Sequence, residues 1–217
     1  MKARKAFLSL LVILGCLPTT GSFAQAAHPE TIAVMKTAYE REILAHARYV
    51  AISRKAREDG YPHIAYLADA LCFSEGVHAR NCQAILSDLG SPIDEKAPDV
   101  PMADTKTNLK NASTAELDEI DVRYPQYLVR IKPENVQAAI DDLTHAWQAE
   151  KQHRDLITQI LSGTGVFFGM MVKKIEENPV DYFVCQNCGS TVIELPKDKC
   201  PICGGPVSRY QKVQPAS

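Results

Sequence analysis

The sequence predicts a mainly α protein: a four-helix bundle followed by a small C-terminal β/metal domain. Three observations predict it. Four long stretches carry apolar residues at alternating steps of three and four, the period of a helix with one buried face. Glycine and proline punctuate these stretches at Gly60, Pro62, Gly90 and Pro133. After residue 180 the texture changes to aromatics, β-branched residues and Gly/Pro turns around two Cys-x-x-Cys knuckles.

With 217 residues, 46% of them apolar and 23% charged, the chain is globular, with room for one ordinary domain and a small one. Residues 1–26 read as a secretory signal: Lys2, Arg4 and Lys5, an apolar run of about a dozen residues, then Ala24-Gln25-Ala26. Cleavage after Ala26 predicts a periplasmic or otherwise exported protein. The rival reading is a lipoprotein, with Cys16 of "ILGC" as the anchored residue. No later segment approaches the roughly 20 apolar residues that a membrane-spanning helix needs. Without the signal, 21 Lys+Arg face 26 Asp+Glu, a net charge of about −5. That balance argues against a nucleic-acid partner.

The first helical segment runs from about Thr31 to Glu58 and closes at Gly60; the second starts after "GYP", with Pro62 in its first turn, and closes at Gly90. The two form an antiparallel hairpin. The stretch "SPIDEKAPDVPMADTKT", residues 91–107, is long for a bundle connection. It reads as a crossover that lets the second and third helices run parallel. The third segment covers about Asn108 to Ile131 with an irregularity at Pro125, and the fourth about Pro133 to Leu161. Four helices with one long connection are the ferritin-like arrangement, here over residues 27–162. Residues 163–180 form a linker or short fifth helix. Residues 181–217 form a separate unit too small to build an adequate core without metal.

The apolar stripes carry an anomaly. On the first helix the buried line is Ile32, Met35, Tyr39, Glu42, His46, Tyr49 and Ile52; on the second it is Ile64, Leu67, Leu71, Glu75, His78, Cys82 and Ile85. The third gives Leu109, Ala112, Glu116, Glu119 and Arg123, and the fourth Val136, Ile140, Leu143, Trp147, Glu150, His153 and Ile157. Each helix thus buries a carboxylate, and two carry Glu-x-x-His, whose members project from one face. Five buried carboxylates need positive charge, and Arg123 is the one cation on these stripes. The conjunction of Glu, Glu-x-x-His, Glu-x-x-Glu and Glu-x-x-His over four helices is the di-iron carboxylate constellation with one extra glutamate. Two ferrous ions with five carboxylates, and two ferric ions with an oxo bridge and the same carboxylates, carry the same formal charge, so a redox role is electrostatically mild.

Secretion makes disulfides the default for paired cysteines. Cys185, Cys188, Cys200 and Cys203 nevertheless have metal-site spacing, which by itself favours zinc over iron. Cys72 and Cys82 lie about 15 Å apart along one helix, too far to bridge, and read as buried thiols.

The stretches "AYEREILAHARY", "GYPHIAYLADALCFSEGVHARN", "NLKNASTAELDEIDVRYP", "AEKQHRDL", "CQNCG" and "CPICGGP" together resemble the rubrerythrin family over nearly the whole chain after the signal. The resemblance implies a non-haem di-iron oxo site held by Glu42, Glu75, His78, Glu116, Glu119, Glu150 and His153. In it Glu75 and Glu150 match bridging carboxylates and His153 a permanent ligand. Glu119 and His78 match groups that exchange at one iron between oxidised and reduced states. Tyr49 and Tyr124 match tyrosines that hydrogen-bond the ligands, and with Glu119 and His78 they make the catalytic set. The tail is similar to rubredoxin, in which four cysteines bind one iron tetrahedrally, and this company reverses the preference for zinc.

The activity so implied is a peroxidase for oxidative-stress defence: hydrogen peroxide is reduced to water, and the tetrathiolate iron relays electrons from a donor protein. Related proteins form head-to-tail homodimers in which one subunit's tail serves the other's bundle. A ferritin-type ferroxidase and a plain electron carrier are the alternatives; Glu119 and the tail speak against the first. The sequence departs from the family's usual pattern in its export signal, in Gln186 and Asn187 within the first knuckle, and in the apolar character of residues 165–178.

Overall fold

A computed structural model describes residues 27–96, 98–161 and 173–216. The predicted signal and residues 163–172 of the predicted linker lie outside the described residues. Helices α1 (Pro29–Glu58) and α2 (Pro62–Asp88) form the first hairpin. Each has proline in its first turn, where the missing N–H leaves no bond unmade. Neither helix has a side-chain cap at the position just before it. Distant carboxylates do that work: Glu134 accepts from the Glu30 and Thr31 N–H groups at 2.9 and 2.7 Å, and Glu176 from His63 and Ile64 at 3.0 and 3.1 Å. An anion is favoured there because the first N–H groups of a helix lack internal partners and carry its positive end.

Helix α3 (Thr105–Asp118) continues through a π-helical turn (Glu119–Arg123) into α4 (Tyr124–Ile131), and a 3₁₀ turn at Lys132–Glu134 leads to α5 (Gln137–Leu161). The Thr105 N–H and hydroxyl both donate to Asp59, just past the end of α1, and Arg130 near the end of α4 pairs with Glu30 at the start of α1. The α3–α4 rod therefore runs antiparallel to α1 and parallel to α2, as the crossover predicts. The irregularity expected at Pro125 falls one turn earlier, as the π-helical turn. In a regular helix the Pro125 ring would meet the carbonyl of Asp121. Widening the preceding turn, where the Tyr124 N–H reaches back to the Glu119 carbonyl, relieves that clash.

Two apolar clusters fill the bundle. One contains Met35, Tyr39, Leu86, Tyr124, Ile131 and Leu143; the other contains Tyr49, Ile52, Leu67, Leu71, Leu109 and Ile157. The predicted stripes supply nine of these twelve residues; Leu86, Tyr124 and Ile131 lie off them. The tail is a three-stranded antiparallel sheet of order β2–β1–β3, made of β1 (Phe183–Cys185), β2 (Thr191–Val192) and β3 (Tyr210–Lys212). It borrows its core from the bundle: Tyr182, Val184 and Val213 join the second cluster, Tyr182 meets the Tyr66 ring edge-on at 5.2 Å, and the Tyr66 hydroxyl donates to the Val213 carbonyl at 2.8 Å. Among the described residues no helix is long and apolar enough to cross a membrane.

Candidate metal centres

Glu42, Glu75, His78 and Glu150 form one group of possible ligands and Glu75, Glu116, Glu150 and His153 a second, each with ligand atoms within 4.8 Å of one another. Glu75 and Glu150 belong to both groups, as bridging carboxylates would. All six side chains are buried. His78 Nδ1 lies 3.0 Å from Glu75 Oε2, 3.1 Å from Glu150 Oε1 and 3.4 Å from Glu42 Oε2. His153 Nδ1 lies 3.1 Å from Glu75 Oε1 and 3.0 Å from Glu150 Oε2. The two imidazoles stack with centroids 5.9 Å apart.

This donor set fits two iron ions. Four carboxylates buried opposite two imidazoles cannot all be anionic. Burial drives Glu42 up to about 8 and Glu116 well above the carboxylate range. For Glu75 and Glu150 burial also pushes upward, but the histidines outweigh it and both end lowered, Glu150 strongly. Bound dications would supply the charge these groups need. Glu75 Oε1 is buried with no aligned hydrogen bond, although His153 Nδ1 stands 3.1 Å away, as befits an oxygen kept for a metal. Tyr124 donates to Glu42 at 2.6 Å and Tyr49 donates to Glu116. Burial raises both phenols well above their ordinary value, so each remains a donor.

The seventh predicted ligand is elsewhere. Glu119 is in neither group; its carboxylate pairs with Arg41 on α1. Arg123 does not reach the carboxylates as a counter-charge. It binds Asp118 at 2.9 Å, because the π-helical turn carries it to the outer surface. Arg41 is the cation at this site that the stripe argument missed, since it sits one position before Glu42 and hence off the apolar line.

In the tail, the Cys185 and Cys203 sulfurs lie 3.9 Å apart and those of Cys188 and Cys200 3.6 Å apart. A disulfide would require about 2.0 Å, whereas a tetrahedral centre with metal–sulfur bonds of about 2.3 Å sets sulfurs about 3.8 Å apart. The four cysteines are a metal site, not two bridges. Cys72 and Cys82 are free thiols, Cys82 buried as expected and Cys72 only half-buried. The Tyr210 hydroxyl donates to Cys200 Sγ at 3.2 Å.

The tail of the chain seats on its own bundle, and does so at the histidines. His78 Nε2 lies 3.2 Å from the Cys188 carbonyl, and His153 Nε2 lies 3.4 Å from Thr191 Oγ1, whose own proton goes to the Gly189 carbonyl at 3.0 Å. Ser74 donates to that same carbonyl at 2.6 Å, Asn81 to the Asn187 carbonyl at 2.9 Å, and Thr191 N–H to Gln152 at 3.1 Å. The outer nitrogen of each histidine is thus held by the tail, which leaves each Nδ1 facing the carboxylates. Gly189 has φ +72°, and a Cβ there would stand 2.3 Å from His78 Nε2. No side chain fits. Gln186 and Asn187 face the bundle as well. Sequence reasoning missed Ser74, Asn81, Gln152 and Thr191 because contacts between distant segments leave no periodic trace. The glycine after the first knuckle was the one visible signal.

The rubrerythrin family model matches residues 33–161. The chain belongs to the rubrerythrin family. Rubrerythrin-2 of Clostridium acetobutylicum is 28% identical over 82% of this chain and 93% of its own, and nigerythrin of Nitratidesulfovibrio vulgaris 26% identical over 86% and 88%. A solved structure of fully reduced, all-ferrous nigerythrin superposes with a TM-score of 0.69 at 24% identity, covering 89% of this chain and 91% of that one. As a rubrerythrin-family protein the chain combines a di-iron carboxylate site in a ferritin-like bundle with a rubredoxin-like four-cysteine iron site, and it falls among iron-dependent oxidoreductases.

Proposed function

We propose that this protein is a non-haem di-iron peroxidase that reduces hydrogen peroxide to water, for defence against oxidative stress. The observation that carries the reading is His78. Its Nδ1 sits among Glu42, Glu75 and Glu150, while its Nε2 bonds the carbonyl of Cys188, a residue of the four-cysteine set. One imidazole therefore joins the two centres, which suits electron relay into the bundle. When bound, the two ferrous ions supply the electrons for H2O2 + 2H+ + 2e− → 2H2O, and the tetrathiolate iron returns them one at a time from a donor protein.

The chain's own residues prepare that chemistry. Tyr49 and Tyr124 fix the carboxylates of Glu116 and Glu42, and the tail fixes both imidazoles, so the donor set is held before substrate arrives. A cavity of about 10 Å³, near the volume of one water, runs beside Arg41 and Arg48 to Glu42, Glu116 and Glu150. Its size admits a peroxide-sized molecule only if side chains yield, and it keeps bulk water from the carboxylates. Glu119, at this mouth, is the ligand proposed to enter on oxidation, in exchange with His78.

The relay is proposed to run within one chain. The head-to-tail homodimer that the resemblance implies would make the same contacts with exchanged tails, the partner's Cys188 carbonyl and the partner's Thr191 hydroxyl then meeting His78 and His153. Export to the periplasm with cleavage after Ala26 belongs to the same proposal, and the mass of the mature protein reads it directly. The activity test is stopped-flow reoxidation of the reduced protein, which should hold about three irons per chain. Peroxide should reoxidise it far faster than oxygen does, and Glu119→Ala should cripple that step. Equal rates with both oxidants, or a multi-iron mineral after aerobic ferrous loading, would turn the assignment toward a ferroxidase.

A further inference from the structure

We infer that Arg41 is a positioning residue: its guanidinium holds the Glu119 carboxylate outside the di-iron site and competes with the metal for it. The inference rests on the di-iron reading of the site but not on peroxide being its substrate. Arg41 Nε pairs with Glu119 Oε1, and Arg41 Nη2 lies 3.3 Å from Asp118 Oδ2. Asp118 is itself fixed by Arg123 Nε at 2.9 Å. The guanidinium is therefore tied down on its far side, and its near side presents one anchored positive charge to Glu119.

Glu119 borders the candidate ligands. It opens the π-helical turn one helical turn after the ligand Glu116, and it lines the same narrow cavity as Glu42, Glu116 and Glu150. Its side chain is 16% exposed and that of Arg41 is 27% exposed, so the pair forms the lip of that cavity. Two cations thus bid for one carboxylate across a partly desolvated gap, where charge–charge interactions are several-fold stronger than in water. Removing electrons from the irons raises the charge on the inner side and draws Glu119 inward; returning them lets Arg41 take it back. The latch consequently favours the ferrous form of the site.

A mediated redox titration of the full-length, iron-loaded protein tests this, followed by the visible absorption of the di-iron site. Arg41→Met should lower the midpoint potential by at least a tenfold shift in the ferric-to-ferrous ratio, equivalent to about 59 mV for one electron. Arg41→Lys should restore most of it. Loss of a nearby positive charge would by itself lower a potential, so the same substitution is also made in a Glu119→Gln background, where it should have little further effect. An equal shift in both backgrounds, or no shift in either, would overturn the latch while leaving the peroxidase reading intact. Absence of any di-iron redox signal in the wild-type protein would overturn the latch together with the assignment of the site. Arg41→Gln, read in parallel, covers the case in which Arg41→Met does not fold.

Discussion

Tyr124 makes the difference between packing and function a matter of one oxygen atom. Its ring sits in the apolar cluster with Leu143 and Ile131, and its hydroxyl donates to Glu42 at 2.6 Å. Tyr124→Phe keeps the ring and leaves a buried carboxylate oxygen without its donor, and Tyr49→Phe does the same to Glu116. Partners of this kind typically carry 10- to 100-fold in metal affinity. Each variant should lose iron to a competing chelator at a correspondingly lower chelator concentration, with the far-ultraviolet circular dichroism unchanged. Losing no affinity would mean that the hydroxyls serve folding alone. At this scale the ligands were legible because a glutamate in an apolar line has no cheap structural explanation. Arg41 was not legible: on a helix surface a charged residue beside the stripe looks like any solvated side chain. The two cations were in effect transposed, Arg123 because periodicity carried into the π-helical turn misjudges its face, and Arg41 because it sits one position off the apolar line of α1.

That turn is the element on which the site depends. It sets Glu119 at its start and Tyr124 at its end, and it is pinned from α5 by the Trp147 indole, which donates to the Ile120 carbonyl at 2.8 Å. Pro125 announced an irregularity but not its kind, because the ring forbids the regular helix without dictating how the chain escapes. Helix ends were read well where proline and glycine mark them. The caps were not, because the Glu134 and Glu176 carboxylates come from more than 100 residues away in the chain. Glu176 is the informative case, since it ties the segment after the bundle to the start of α2. Glu176→Ala should destabilise the protein by about 1 kcal/mol, the usual worth of a helix N-cap. For a chain of this length that lowers the melting temperature by roughly 2–4 °C. Calorimetry of the metal-loaded protein reads this directly, and an unchanged melting temperature would show that α2 needs no anion at its N-terminus.

For the whole molecule the question is whose tail serves which bundle. A tail tethered to its own bundle is present at an effective concentration on the order of millimolar, well above that of a partner's tail in dilute solution. It has been seated with much of its apolar surface in the bundle core, through Tyr182, Val184 and Val213. Cys200→Ser breaks the four-cysteine site and leaves the bundle ligands, whereas Glu75→Gln breaks the shared carboxylate position and leaves the tail. Each variant alone should be unable to pass electrons from tail to bundle. If every tail serves its own bundle, the two variants refolded together should transfer no more than the sum of the separate preparations, followed by reoxidation of the tetrathiolate iron after peroxide is added. Recovery of a substantial fraction of wild-type transfer in the mixture would require exchanged tails and a dimeric enzyme. The same contacts carry a structural consequence. Because Thr191 and the Cys188 carbonyl orient His153 and His78, the Cys200→Ser variant should also bind bundle iron more weakly than wild type. The four-cysteine unit would then act as a scaffold for the di-iron ligands as well as a carrier of electrons.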